Sequence, residues 1–277
     1  MSEVTVVGAG LAGSEAAWQL ARAGISVKLV EMRPRGSTPA HTTDRAAELV
    51  CSNSLRSQSL SNAAGVLKEE LRLAGSLLMS VADRTSVPAG MALAVDRDLF
   101  SAEVQSRLEG EPGIDLVRRE QEEVPAGRAI VASGPLTAGT LASGLVELTG
   151  VESLYFYDAI APVVDAESID RSAAFLQSRH EPVGEGDYLN CPFYREEYEA
   201  FVEELLAADK VPLKRFEREI HFAGCMPVEA IAEKGWETLA HGPMRPVGIT
   251  DPRTGKQPFA VIQLRMENRA GTAWNMV

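Results

Sequence analysis

The chain has 277 residues, 45% of them hydrophobic and 24% charged, which excludes whole-chain disorder and leaves room for two average domains or one large one. With 27 basic and 39 acidic side chains the net charge is −12, so any contact with a polyphosphate has to come from a local basic patch. No apolar run approaches a bilayer span and Met1-Ser2-Glu3 carries no basic leader, so a cytoplasmic protein with no membrane partner is expected.

Val4-Thr5-Val6-Val7 is a short β-branched run, the pattern of a buried parallel strand. It enters Gly8-Ala9-Gly10-Leu11-Ala12-Gly13 and then an alanine-rich helix through Ala17, Leu20 and Ala21, with Gly24 as its stop. Val27 to Val30 predicts a second strand that closes at Glu31, which completes one βαβ unit. Residues 33–62 are rich in Pro, Gly, Ser, Thr and Asn, with arginines on both sides of Pro34. A polar stretch of that length inside a compact domain is either disordered or functional. A helical turn is expected over Arg45–Val50, and a helix over Val66–Asp83 with Leu67, Leu71, Leu78 and Val81 on one face.

Further along, Arg97–Leu108 predicts a helix and Ile114–Val117 a strand. Ala129–Ala132 predicts a second buried strand leading into Ser133-Gly134-Pro135, after which Thr137 caps a helix to Leu148. Beyond about residue 155 aromatics such as Tyr155, Phe156 and Tyr157 accumulate and the strand–helix alternation fades. A charged helix is expected over Glu196–Ala208, a short one over Pro227–Lys234, and a strand over Phe259–Leu264 after the turn Asp251–Lys256. The change of texture divides the chain into an α/β domain over residues 1–155 and an α+β insertion domain over 156–277.

The glycine turn carries the clearest chemistry. A strand precedes it, a helix follows, and an acidic residue ends the second strand. In that setting Gly8 allows the tight turn, Gly10 lets a pyrophosphate approach the backbone, and Gly13 lets helix and strand pack closely. The helix N-terminus offers amides to the phosphates. Glu31 stands where a carboxylate accepts from an adenosine ribose and repels a 2′-phosphate, which leaves FAD or NAD. A glycine-rich turn that binds nothing is the bland alternative.

Cys51, Cys191 and Cys225 are too few and too far apart for a disulfide framework, and four histidines without ligand spacing give no metal site. Lone cysteines are commonly small core residues. Cys51 lies among Ser52, Asn53 and Arg56, polar company that favours an accessible thiolate, and Cys225 just precedes Pro227 at a predicted helix start. Cys191 has neither feature. The cluster Lys210, Lys214, Arg215 and Arg218, interleaved with Phe216 and Glu217, reads more readily as a solvated helix face than as a nucleic-acid site. Arg245, Arg253 and Lys256 are a weak phosphate signal in loops.

The longer pattern Gly8, Gly10, Gly13, Ala17, Leu20, Gly24, Val27, Glu31 resembles the two-dinucleotide-binding flavoprotein signature, and Ile130-Val131-Ala132-Ser133-Gly134 resembles its second motif. Further blocks are more specific: Glu31-Met32-Arg33-Pro34, Glu48-Leu49-Val50-Cys51-Ser52-Asn53-Ser54-Leu55, Leu93-Ala94-Val95-Asp96-Arg97, Tyr188-Leu189-Asn190-Cys191-Pro192, Gly224-Cys225-Met226-Pro227 and Gly242-Pro243-Met244-Arg245-Pro246-Val247-Gly248. Through them the chain resembles the folate- and FAD-dependent tRNA (uracil-5-)-methyltransferases, flavoenzymes related to the glucose-inhibited-division proteins.

That resemblance implies an FAD-binding Rossmann-like fold, with methylenetetrahydrofolate and NAD(P)H as co-substrates. The one-carbon unit passes by way of the flavin to C5 of a T-loop uridine in tRNA. It implies FAD contacts from Gly8, Ala9, Gly10, Leu11, Ala12, Gly13 and Glu31. Cys225 matches the thiolate that adds to C6 of uracil and Cys51 a cysteine beside the flavin, although the two roles are interchangeable on sequence alone. Members of the family run on beyond the equivalent of Val277, so a C-terminally truncated chain that holds flavin and tRNA poorly is expected. An FAD-dependent oxidoreductase of a small molecule, an rRNA uridine methyltransferase and an inactive FAD-binding fragment stand as alternatives.

Overall fold

The computed structural model describes residues 3–137, 139–151, 161–209 and 226–277. The chain divides into two compact units, Met1–Ser86 with Val95–Asp158, and Val87–Ala94 with Ala159–Val277. The boundary expected at 155/156, the aromatics Tyr155, Phe156 and Tyr157, and the basic cluster Lys210, Lys214, Arg215 and Arg218 lie outside the described residues.

The first unit starts with β1 (Val4–Val7), α1 (Leu11–Arg22) and β2 (Val27–Glu31). β1 and β2 pair in parallel, Val4 opposite Val27 and Val7 opposite Val30. α1 buries Gly13, Ser14, Ala17 and Ala21, small residues at helical spacing that let its axis lie close to the sheet. The chain then runs through β3 (Ser54–Ser57), α2 (Ala63–Leu73), α3 (Leu77–Arg84), β4 (Ser86–Val87) and β5 (Ala92–Val95) to α4 (Arg97–Glu109). β6 (Ile114–Arg118) adds to β2 and β7 (Ala129–Val131) adds to β1, both in parallel, which gives the order β6-β2-β1-β7. α5 (Gly139–Thr149) follows. Val6, Leu29 and the α4 stripe Phe100, Val104 and Leu108 are completely buried, so the core lies between sheet and helices as a Rossmann-like α/β fold requires.

Several sequence expectations fail here for identifiable reasons. The helix expected over Val66–Asp83 is two helices, parted by Gly75 at φ 73° and restarted by Ser76, whose hydroxyl accepts from the Met79 amide. Val81 is buried, but Leu67 and Leu71 face solvent, because the break resets the helical phase. Lys68 takes a buried position instead, its Nζ donating to the carbonyls of Ser57 and Ala64. The strand at Ala129–Val131 is not buried: it forms the sheet edge, with Ala129 and Ile130 exposed. Arg45–Val50 contains a turn rather than a helical one, with Ala47 at φ 52°. Thr137 turns its hydroxyl to Ser133 Oγ and the Gly134 carbonyl.

In the second unit β8 (Val163–Asp165), β9 (Phe175–Leu176), β10 (Tyr188–Phe193), β11 (Ala260–Met266) and β12 (Ala273–Met276) form an antiparallel sheet. Its order is β8-β12-β11-β10-β9. Alternation sorts the faces: Leu189, Leu264 and Trp274 share one apolar cluster. At alternate positions Gln263 Nε2 donates to Asn190 Oδ1 at 3.0 Å, both side chains buried. α6 (Arg195–Ala207), α7 (Val228–Ala232) and α8 (Thr238–His241) contribute Tyr198, Val202, Ala232 and Leu239 to a second cluster with Met244 and Ala260. Tyr198 satisfies its buried hydroxyl by donating to the Trp236 carbonyl at 2.6 Å and accepting from the Ala240 amide at 3.1 Å. Asp251 closes the turn before β11: its carboxylate accepts from Arg253 and from the Tyr194 hydroxyl.

Candidate functional site

β1 ends in a turn that only glycine can make. Gly8 adopts φ 95°, and its amide donates to the Val30 carbonyl at 2.7 Å. A Cβ on Gly8 would lie 2.6 Å from the Ala132 carbonyl oxygen, and one on Gly13 only 1.7 Å from that of Gly8. Gly10 is different. Its backbone is ordinary, φ −68° and ψ −169°, and a Cβ there would meet nothing within 4 Å among the described residues. The open space lies at the start of α1, whose N-cap Gly10 has no side chain to cap it. The first intrahelical bond runs from the Ser14 amide to the Gly10 carbonyl, so the amides of Leu11, Ala12 and Gly13 precede it. They stand as donors at the positive end of the helix dipole.

Ala9 is buried and gripped from both sides. Its amide donates to Glu31 Oε2 at 2.9 Å, and its carbonyl accepts from the Ser14 hydroxyl and from the Ala47 amide at 2.8 Å. Glu31 Oε1 accepts from Arg33 Nε at 2.8 Å and from the Arg33 amide at 3.1 Å. Each carboxylate oxygen takes about two hydrogen bonds, so Oε2 keeps one acceptor position for a ligand hydroxyl. Burial raises the Glu31 carboxyl, but the hydrogen bonds and charge of Arg33, with the Ala9 amide, outweigh it and hold the group below its ordinary value.

Arg33 carries the network onward. Its Nη1 donates to Glu48 Oε2 at 2.9 Å, and Glu48 also accepts from the amides and hydroxyls of Thr42 and Thr43. Burial raises the Glu48 carboxyl, and those threonine donors bring it below its ordinary value. Arg118 Nη1 bridges the carbonyls of Arg33 and Asp44. The polar stretch is therefore an ordered loop folded back on the glycine turn. Sequence reading assigned no role to Arg33, Glu48 or Arg118, although Arg33 and Glu48 lie in two of the segments that carry the family resemblance.

Cys51 follows this loop with its thiol exposed. The backbone around it is pinned by Arg97 Nη1 to the Leu49 carbonyl at 3.1 Å and by the Val95 amide to the Asn53 carbonyl at 2.9 Å. Cys225 lies outside the described residues, so the geometry joins Gly8–Gly13 with Glu31 but relates neither cysteine to the other.

A family model described as glucose inhibited division protein A matches residues 3–277. The chain belongs to the glucose inhibited division protein A family. A relative from Geobacter sulfurreducens, described as methylenetetrahydrofolate–tRNA-(uracil-5-)-methyltransferase TrmFO, is 60% identical over 275 residues, covering 99% of this chain and 63% of the relative. One of the same description from Anoxybacillus flavithermus is 58% identical over 275 residues, again 99% of this chain and 63% of the relative. The chain thus spans under two thirds of the length of the curated relatives it matches. Among solved structures, Aquifex aeolicus GidA superposes with a TM-score of 0.59 at 12% identity, over 99% of this chain and 49% of that one, a likeness of fold.

The residues of this glucose inhibited division protein A family member fit an adenine dinucleotide: an open cradle at Gly10, outward amides and a carboxylate with an acceptor position to spare. Cys191 is set apart from this arrangement. It is half-buried in β10 and lines a cleft of about 310 Å³ with Ile262, Leu264 and Met276. Burial pushes its thiol up, against the opposing charge of Arg171. Among the described residues no group of three His, Cys, Asp or Glu side chains is placed to hold a metal ion. No helix among them is long and apolar enough to cross a membrane.

Proposed function

We propose that this chain binds FAD at the glycine turn and takes part in methylenetetrahydrofolate-dependent methylation of C5 in a T-loop uridine of tRNA, in the cytoplasm. The observation that carries this reading is the 60% identity, over 275 residues, to a relative described as that methyltransferase. Residues 1–155 are assigned to the cofactor and 156–277 to the substrate side.

FAD, when bound, would supply the electrons taken from NAD(P)H and the carrier position for the one-carbon unit. The Leu11, Ala12 and Gly13 amides would hold its pyrophosphate at the opening beside Gly10, and Glu31 would accept from its ribose. C5 of uracil is a poor nucleophile until a thiolate adds at C6 and makes an enolate. Cys225 is assigned that addition. Once the methylene carbon is attached, loss of the C5 proton expels the thiolate and restores the C5=C6 bond, and the two electrons drawn from NAD(P)H would reduce that carbon to the methyl level. Cys51, exposed on the same unit as the glycine turn, is assigned to handling the one-carbon unit before transfer.

FAD titration followed by visible absorption and flavin fluorescence tests the cofactor assignment. Saturable uptake is expected, and a chain that takes up no FAD refutes it. Incubation with methylenetetrahydrofolate, NADPH and a tRNA transcript should yield 5-methyluridine by nucleoside mass spectrometry, absent in Cys225→Ser. A loaded chain that oxidises NADPH without folate or RNA and leaves tRNA unmodified refutes the methyltransferase assignment.

A further inference from the structure

Two carboxylates converge on one buried guanidinium at the edge of the glycine turn. Arg33 gives its Nε to Glu31 and its Nη1 to Glu48, with the side chain only 3% exposed. Glu48 is not free to swing away, because Thr42 and Thr43 hold both of its oxygens. The three groups sum to one negative charge, −1 + 1 − 1. This matters for a nucleotide whose ribose meets Glu31. A carboxylate there accepts from a free 2′-hydroxyl, whereas an arginine close by is the usual partner of a 2′-phosphate. Arg33 is such an arginine, two residues beyond Glu31, and Glu48 neutralises it.

We propose that Glu48 is a specificity-determining residue: by holding Arg33 against Glu31 it makes the site accept an adenosine diphosphate with a free ribose 2′-hydroxyl and refuse the 2′-phosphorylated form. This assignment rests on the nucleotide reading of the glycine turn, and deepens it. Glu48 lies outside the βαβ unit, 15 residues from Arg33, and acts through the guanidinium rather than by touching the ligand. A 2′-phosphate brings close to two negative charges at neutral pH to a cluster that already carries one. Glu48→Gln keeps the shape and an acceptor oxygen for the threonines while bringing the cluster to zero.

The test is calorimetric titration of the full chain with ADP-ribose and with 2′-phospho-ADP-ribose, probes that differ only at the 2′ position. The wild-type chain should bind ADP-ribose at least tenfold more tightly than its 2′-phosphate, and E48Q should shrink that ratio at least tenfold. Arg33→Met in the E48Q background should restore the wild-type ratio, because the freed guanidinium is what recruits the phosphate. A wild-type ratio near one overturns the assignment without any variant and leaves the nucleotide site standing. An unchanged ratio in E48Q with wild-type circular dichroism overturns it too, as does a double variant that keeps the E48Q ratio. Binding of neither probe overturns the nucleotide reading itself.

Discussion

Gly10→Ala and Gly13→Ala each add one methyl group to the glycine turn, in very different surroundings. At Gly13 the new Cβ would stand 1.7 Å from the Gly8 carbonyl oxygen, where a carbon–oxygen contact needs about 3.3 Å. Roughly 1.6 Å of relief is required between two hydrogen-bonded backbone segments, at a cost of about 3 kcal/mol by the usual penalty for overpacking. For a unit of this size that lowers the melting temperature by roughly 6–12 °C. At Gly10 the methyl meets nothing within 4 Å among the described residues and the backbone has negative φ. The loss of a glycine N-cap, about 0.5 kcal/mol, is offset by the lower entropy of the unfolded chain, so stability stays within about 0.5 kcal/mol. The methyl then occupies the opening in front of the Leu11–Gly13 amides, and FAD affinity should fall at least tenfold. Thermal unfolding by circular dichroism and FAD titration of both variants give the two readouts. A stable G10A chain that binds FAD like wild type refutes the placement of the pyrophosphate. A G13A chain as stable as wild type refutes the close approach of α1 to the turn.

Arg33→Ala leaves Glu31 and Glu48 buried without their shared cation and should cost about 3 kcal/mol in urea unfolding; E48Q in the same background should recover part of it, and no recovery would mean the charges are not the cause. Asp251 is held at about 2, chiefly by its hydrogen bonds from Arg253, against burial, with the Tyr194 hydroxyl helping. A depressed carboxylate stabilises the fold above its unfolded value and loses that contribution as pH falls through the folded one. Asp251→Asn should therefore lower stability by about 2 kcal/mol at pH 7, with the deficit against wild type shrinking between about pH 4 and pH 2; a deficit that does not change with pH would assign it to packing alone. Iodoacetamide mapped by peptide mass spectrometry should modify Cys51 well before Cys191, whose half-buried thiol ionises less readily; the reverse order would contradict the exposure of Cys51.

The start of the chain was legible because its constraints are local. A Cβ on Gly13 would meet the Gly8 carbonyl inside the turn itself, so strand, glycines and helix announce one another within a few residues; only the Gly8 position is also set from afar, by Ala132 after β7. The loop after β2 was not legible, because Arg33 finds Glu48 across 15 residues with no period to betray it. The Val66–Asp83 pattern misled because a lysine is buried where a leucine was expected, its ammonium satisfied by two carbonyls. In the second unit β11 was foreseen at Phe259–Leu264, but its partner β10 was not. Asn190 fills an inward position of β10 by accepting from Gln263 of β11, which breaks the apolar alternation there. Cys51 was picked out by its polar neighbours, and its exposure follows from them.

The hydrogen bond from the Ala47 amide to the Ala9 carbonyl joins a loop to a motif 38 residues upstream. Surface loops of this length generally absorb extra residues at little cost. Lengthening the chain between Thr43 and Glu48 would instead draw Ala47 off Ala9 and Glu48 off Arg33, loosening the grip on the glycine turn from outside it. The same dependence limits transplantation: a chimaera given only the first βαβ segment would inherit the glycines without the loop that holds Ala9 in place.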